Sequence, residues 1–131
     1  MLERPDQEAK ELVAKAIAFY KKAGQTIALA EFSNLRGPFV KDDMYVYVLN
    51  FKGTMLAHGA NEKYVGQNFL DVEDASGRKF IQEIIKSARS KDSGWVKYEW
   101  HNPVTKDDLF KHVYFEKVDA LIFCSGVYKK K

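Results

Sequence analysis

The chain has 131 residues, 46% hydrophobic and 14% aromatic, enough apolar material for one domain to bury a core without disulfide or metal staples. Its 21 basic and 18 acidic residues leave a net charge of +3 spread along the chain, too weak an excess to argue for nucleic acid as a partner. A single cysteine, Cys124, excludes an internal disulfide and a cysteine-rich zinc site, and no run of about twenty apolar residues is present to span a bilayer.

The start "MLERPDQEAK" lacks the basic and apolar regions of a signal peptide, so the chain is either cytosolic or trimmed of an export or anchoring segment. Residues 5–32 carry a helical pattern, with Leu12, Val13, Ala16, Ile17, Tyr20, Ala23, Gly24, Ile27 and Ala28 recurring at three- and four-residue spacing. Pro5 suits the first turn and Glu8 complements the helix dipole there. One helix of this length would reach roughly 40 Å at 1.5 Å per residue. Gly37 and Pro38 break the pattern into a loop.

Next, "DMYVYVLNFKGTMLAHG" alternates Tyr45, Tyr47 and Leu49 with Val46 and Val48, turns through residues 50–53, and returns from Met55 to His58. This is a hairpin. Residues 60–77 form a long connection without regular period, a kind of loop that is frequently functional. A second helix is expected over about 76–90, with Phe80, Ile81, Ile84, Ile85 and Ala88 on one face.

Three strands complete the chain, at 93–103, 109–118 and 121–128. Pro103, Lys106, Asp107 and Asp108 make the first turn, and Asp119 with Ala120 the second. The order predicts an α+β domain in which a five-stranded antiparallel sheet carries the long helix on one face. The stretch "SGWVKYEWHNP" places Trp95 on one side of its strand and Val96, Tyr98 and Trp100 on the other. A helix covers only one face of a sheet, so the long loop is left to cover the other. A loop roof leaves room for a cavity lined by aromatics.

Five pieces in this order resemble the single Cache family, the extracytoplasmic sensor domains of bacterial chemoreceptors and sensor kinases. They are the aromatic strand with its turn and Leu56-x-His58; Gly66-x-Asn68 with Leu70; Gly94-Trp95-x-x-Tyr98-x-Trp100; Lys111-x-x-Tyr114; and Gly126-x-Tyr128. The resemblance implies a PAS-like sheet with the long N-terminal helix on one face and a ligand-roofing loop plus short helix on the other. It divides the single domain into the helix, 1–36, and the sheet and pocket, 37–131. It further implies binding of a small organic acid of the acetate, propionate, lactate or pyruvate type, a periplasmic or extracytoplasmic location, and a membrane-linked signalling partner. No cofactor is expected.

A carboxylate in an apolar pocket needs a cation or several aligned donors. In the matching positions Lys111 supplies the cation, and Tyr45, Tyr47, His58, Tyr64, Tyr98, Trp100 and Tyr114 are the further candidates. Alternation alone leaves open which strand face looks into the cavity; the family pattern puts Trp100 at the ligand. Tyr114, three residues after Lys111, shares its face only if the strand bulges. Gly66, Asn68 and Asp71 read as loop-shaping residues, and Asp71, Glu73 and Asp74 as a turn before the helix.

No enzyme is expected: His58, His101 and His112 lack metal-ligand spacing, no glycine-rich phosphate loop occurs, and Cys124 sits in the apolar run "ALIFCSGVY" as an inert thiol. A PAS-like interaction domain without ligand is the alternative, and a small enzyme using His58 or Cys124 a third reading. A homodimer through the N-terminal helix is expected. The basic run 129–131 reads as a solvated tail or as a contact to lipid headgroups.

Overall fold

The computed structural model describes residues 2–101 and 106–130, so Pro103 of the expected turn and Lys131 of the basic run lie outside the described residues. The elements are α1 (Arg4–Ala23), α2 (Gln25–Phe32), β1 (Val40–Lys41), β2 (Met44–Asn50), β3 (Met55–His58), a 3-10 turn (Glu62–Tyr64), α3 (Phe80–Ser90), β4 (Ser93–His101), β5 (Asp108–Val118) and β6 (Leu121–Lys130).

The N-terminal helical pattern folds as two helices rather than one. Gly24 adopts φ +89°, outside the helical region, and its N–H closes α1 on the Tyr20 carbonyl. A residue without Cβ takes that conformation at little cost, so the chain turns there and α2 restarts at once. Among the described residues no helix is long and apolar enough to cross a membrane.

All strand pairs are antiparallel, in the order β1-β2-β6-β5-β4, with β3 also paired to β2. The sheet has six strands rather than five because Val40 and Lys41 add a two-residue strand against Met44 and Tyr45. The hairpin and the three-strand meander form as the alternation indicates, and the last strand closes beside the first long one.

Alternation sorts the core into two layers. Tyr47, Leu49, Val96, Tyr98, Val113, Phe115 and Ile122 face α3, which presents the expected stripe of Phe80, Ile81, Ile84, Ile85 and Ala88. Val46, Val48, Tyr114 and Phe123 face the helices, against Val13, Ala16, Ile17, Ala28 and Phe32. Trp95 belongs to this second side, where its ring lies 5.2 Å from that of Tyr114. Each tryptophan of β4 therefore serves a different layer.

The loop before α3 is held down by named contacts. Gly66 N–H donates to the Met55 carbonyl at 2.7 Å, Met55 N–H to Gln67 at 2.9 Å, and Phe69 N–H to Gly53 at 2.8 Å. Gly53 has φ +84°, and a Cβ there would lie 2.6 Å from Leu70 Cγ, so the hairpin turn and the loop share one tight contact. Gly53→Ala is expected to lose roughly 2–4 kcal/mol from backbone strain plus overpacking. Gly66→Ala, at φ +89° with open space around it, loses only the strain, about 1 kcal/mol. Urea unfolding of the two variants checks the difference, and equal losses would contradict the contact.

Candidate functional site

Under the loop lies a cavity of about 490 Å³ between the sheet, the 3-10 turn and the start of α3. Of the residues picked out in the sequence, Tyr45, Tyr47, His58, Tyr64, Tyr98, Trp100 and Lys111 line it. Tyr114 does not. β5 runs without a bulge through this region, so Lys111, Val113 and Phe115 face the cavity side while Tyr114 points to the helices. There its hydroxyl donates to Glu116 at 2.6 Å, and Lys10 lies over its ring.

Lys111 is only 3% exposed. Its Nζ donates to the Tyr45 hydroxyl at 2.8 Å and lies 4.6, 5.7 and 5.1 Å from the ring centres of Tyr45, Tyr47 and Tyr128. Aromatic faces attract a cation, and more strongly where water is excluded. Burial works to lower the Lys111 pKa, while Tyr98 and Tyr128 raise it, and the net direction is upward. Among the described residues its partners are tyrosines, not carboxylates.

Two further donors converge on the same space. The Tyr47 hydroxyl is buried beside Tyr98 and Cys124, without a hydrogen bond of regular geometry among the described residues. Burial holds its pKa well above 10.0, so it remains a donor. His58 is 5% exposed, and its Nδ1 accepts the N–H groups of Ala60 at 3.2 Å and Asn61 at 2.9 Å. The neutral ring then carries its proton on Nε2. Burial, followed by the charge of Lys111, lowers the His58 pKa to about 4. His58 thus fastens the loop through one nitrogen and keeps a donor on the other.

The rest of the lining is mixed. Met55, Phe69, Val72, Phe80 and Ile81 supply apolar wall, and Phe80 stacks on Tyr98 at 4.1 Å. Tyr64 and Trp100, each 37% exposed, stand at the opening. Tyr64 meets His58 edge-on at 5.0 Å.

Two contributors escaped the sequence reading. Asp74 stands in the expected turn before the helix and is also a latch. Its Oδ1 accepts Ser76 and Arg78 N–H groups, and its Oδ2 accepts Glu99 N–H at 2.9 Å, tying the loop to β4. Burial works to raise the Asp74 pKa, but the donors from Glu99, Arg78 and Ser76 outweigh it and hold the carboxylate ionised. Tyr128 sits directly across from Lys111 on β6; the Gly126-x-Tyr128 pattern was its only signal. Asn68 is the loop-shaping residue expected, accepting Leu70 N–H and donating to the Lys52 carbonyl. Asp71 pairs with Lys79 at 3.5 Å on the surface.

A sheet clad by helices on one face and roofed by a latched loop over a polar-tipped cavity on the other defines a PAS-like sensor module. Residues 3–130 match the family model described as single Cache domain 2, and the chain belongs to that family. Over 110 residues, 82% of this chain and 20% of the relative, it is 31% identical to the methyl-accepting chemotaxis protein McpP of Pseudomonas putida. It is 33% identical over 63 residues, 48% of this chain and 13% of the relative, to the sensor histidine kinase MctS of Rhizobium johnstonii. The chain thus spans about a fifth or less of the curated relatives it matches.

Among solved structures, a methyl-accepting chemotaxis protein from Vibrio parahaemolyticus superposes with a TM-score of 0.77 at 19% identity, covering 95% of this chain and 88% of that one. A Cache chemosensory domain described for carboxylic acid recognition superposes with a TM-score of 0.76 at 24% identity, covering 97% and 99%. At these identities the likeness concerns the fold.

Because His58 has a folded-state pKa of about 4 against 6.5 in the unfolded chain, the unfolded chain takes up the proton first as pH falls. The stabilisation is complete above 6.5 and is lost as pH drops through about 4. Its size is at most roughly 3 kcal/mol, less what solvent screening removes. His58→Gln is expected to flatten the pH dependence of urea unfolding across that window; an unchanged slope would show that another group is responsible.

Proposed function

We propose that this domain senses a short carboxylate, of the acetate, propionate, lactate or pyruvate type, outside the cytoplasm, as part of a membrane-linked signalling protein. The observation that carries this reading is the buried Lys111 ammonium on the cavity wall, partnered by neutral tyrosines. A bound carboxylate supplies the countercharge. Lys111 and the Tyr47 hydroxyl offer donors, His58 offers Nε2–H, and the apolar wall accommodates the alkyl part. The fold likeness to a carboxylic-acid-recognising Cache domain and the sequence likeness to a chemotaxis receptor and a sensor kinase support the same reading.

A dimer through the N-terminal helix fits this role. Ala14 and Ala18, one turn apart, are exposed on the outward side of α1 and permit close approach of a second helix.

A thermal-shift screen of the purified domain against these four acids tests the function. An acid at a hundred times its Kd adds about 2.7 kcal/mol and raises the Tm by several degrees. Lys111→Met, which keeps the side-chain length without the charge, is expected to abolish the rise. No rise with any acid, or an equal rise in the variant, would overturn the proposal.

A further inference from the structure

The face of β5 and β6 opposite the cavity carries a second buried charge. Asp6, in the first turn of α1, is 6% exposed. Its Oδ2 accepts a hydrogen bond from Lys129 Nζ at 2.7 Å, while its Oδ1 is buried without a hydrogen-bond partner among the described residues. Lys129 also reaches Glu3 at 3.7 Å.

Apolar packing here is small: Ala9, Met44 and Val127 form a cluster that meets the larger core farther along α1 through Leu12 and Trp95. The other ion pairs of this turn, Arg4 with Glu8 and Lys41 with Glu8, are exposed and contribute little. In the Asp6–Lys129 pair the carboxylate is buried while the Lys129 side chain is 25% exposed, so loss of the lysine leaves a buried carboxylate unpaired and costs more than loss of an exposed pair. The Asp6–Lys129 pair is therefore the principal polar hold on the start of α1.

Strand geometry sets this pair beside the cavity. Lys111 and Tyr128 are direct partners across β5 and β6, with Lys111 Nζ 5.1 Å from the Tyr128 ring. Lys129 follows Tyr128, and successive strand residues point to opposite faces. A single peptide unit thus joins the ring beside the cavity cation to the ammonium that grips Asp6. A carboxylate in the cavity draws Lys111 Nζ toward itself and away from that ring.

We propose that Tyr128 and Lys129 form a relay through the sheet, by which occupancy of the cavity changes the grip of Lys129 on Asp6 and hence the seating of the first turn of α1. The relay rests on the reading of the cavity as a carboxylate site. Coupling between two sites is reciprocal, so altering the Asp6–Lys129 pair must alter carboxylate affinity by the same factor that occupancy alters the pair.

The test is calorimetric titration with acetate, propionate, lactate and pyruvate, together with hydrogen exchange over residues 4–13. Asp6→Asn and Lys129→Gln, neither in the cavity wall, are each expected to shift the affinity for the tightest-binding acid by about fivefold or more. The shift is expected to be non-additive with that of Tyr128→Leu, and ligand-dependent exchange over residues 4–13 is expected to disappear. A ligand-free arm compares wild type with Lys111→Met, which is expected to change exchange over residues 4–13.

Should Lys129→Gln fail to fold, Asp6→Asn, which keeps the side chain's shape, decides the first arm. Affinities within about twofold of wild type with unchanged exchange would overturn the relay and leave the carboxylate site standing. Absence of binding by the wild type to all four acids would overturn the site instead. The ligand-free arm then decides the relay alone, with unchanged exchange in Lys111→Met counting against it.

Discussion

A lysine ammonium held inside a β-sheet is the constraint on which the rest of this domain depends. Moving a charge out of water costs several kcal/mol, and the protein offsets this with tyrosines rather than an opposite charge. Tyr45 and Tyr47 come from β2, Tyr98 from β4 and Tyr128 from β6, so three strands contribute side chains around a residue of a fourth. β5 lies between β4 and β6, and its backbone is paired along both edges. The stem of Lys111 has room because position 126 is glycine; a Cβ there would stand 3.0 Å from Lys111 Cε. A cation fixed in this way can exchange neutral partners for an anion with little rearrangement of the strand beneath it.

The two covers of the sheet differ in kind, and the difference locates the site. On one side helices bring apolar side chains into a dense layer that includes Phe32, Phe39 and Phe123. On the other, α3 closes only part of the face, and the loop closes the remainder through polar latches from His58, Asn68 and Asp74. Backbone held by a few hydrogen bonds spans space that a packed helix would fill. Such latches also open at a lower cost than a core does, which suits the entry of a ligand.

Much of this was legible in the sequence because it depends on period. The alternation of Tyr45 and Tyr47 with Val46 and Val48 sets the hairpin and its faces, and the spacing of Phe80, Ile81, Ile84 and Ile85 sets α3. The same rule set Tyr114 at odds with Lys111, and the structure follows the rule rather than the shared motif. Features that depend on distant partners were hidden. Asp74 meets Glu99 twenty-five residues away, and nothing around Asp74 announces that contact. The two residues of β1 are too few to show a period. At Gly24 the apolar spacing continues across the break to Ala28, which shares a layer with α1, while Ile27 of the same pattern turns to solvent at 60% exposed, so the pattern conceals the change in backbone direction.

That break divides the helix side into two parts that share one apolar layer, with Phe19 of α1 6.3 Å from Phe32 of α2, but carry different polar ties. Ser33, just beyond α2, accepts the His58 N–H through its hydroxyl while donating to the Leu29 carbonyl, so α2 is stitched to the residue that latches the roof. α1 is tied at its other end, to β6. A single rigid rod over residues 4–32 would force any tilt of one attachment onto the other. With a glycine joint between them, each helix takes its own course over the shared apolar layer, and α1 reaches β6 at one end while α2 reaches the residue that latches the roof at the other.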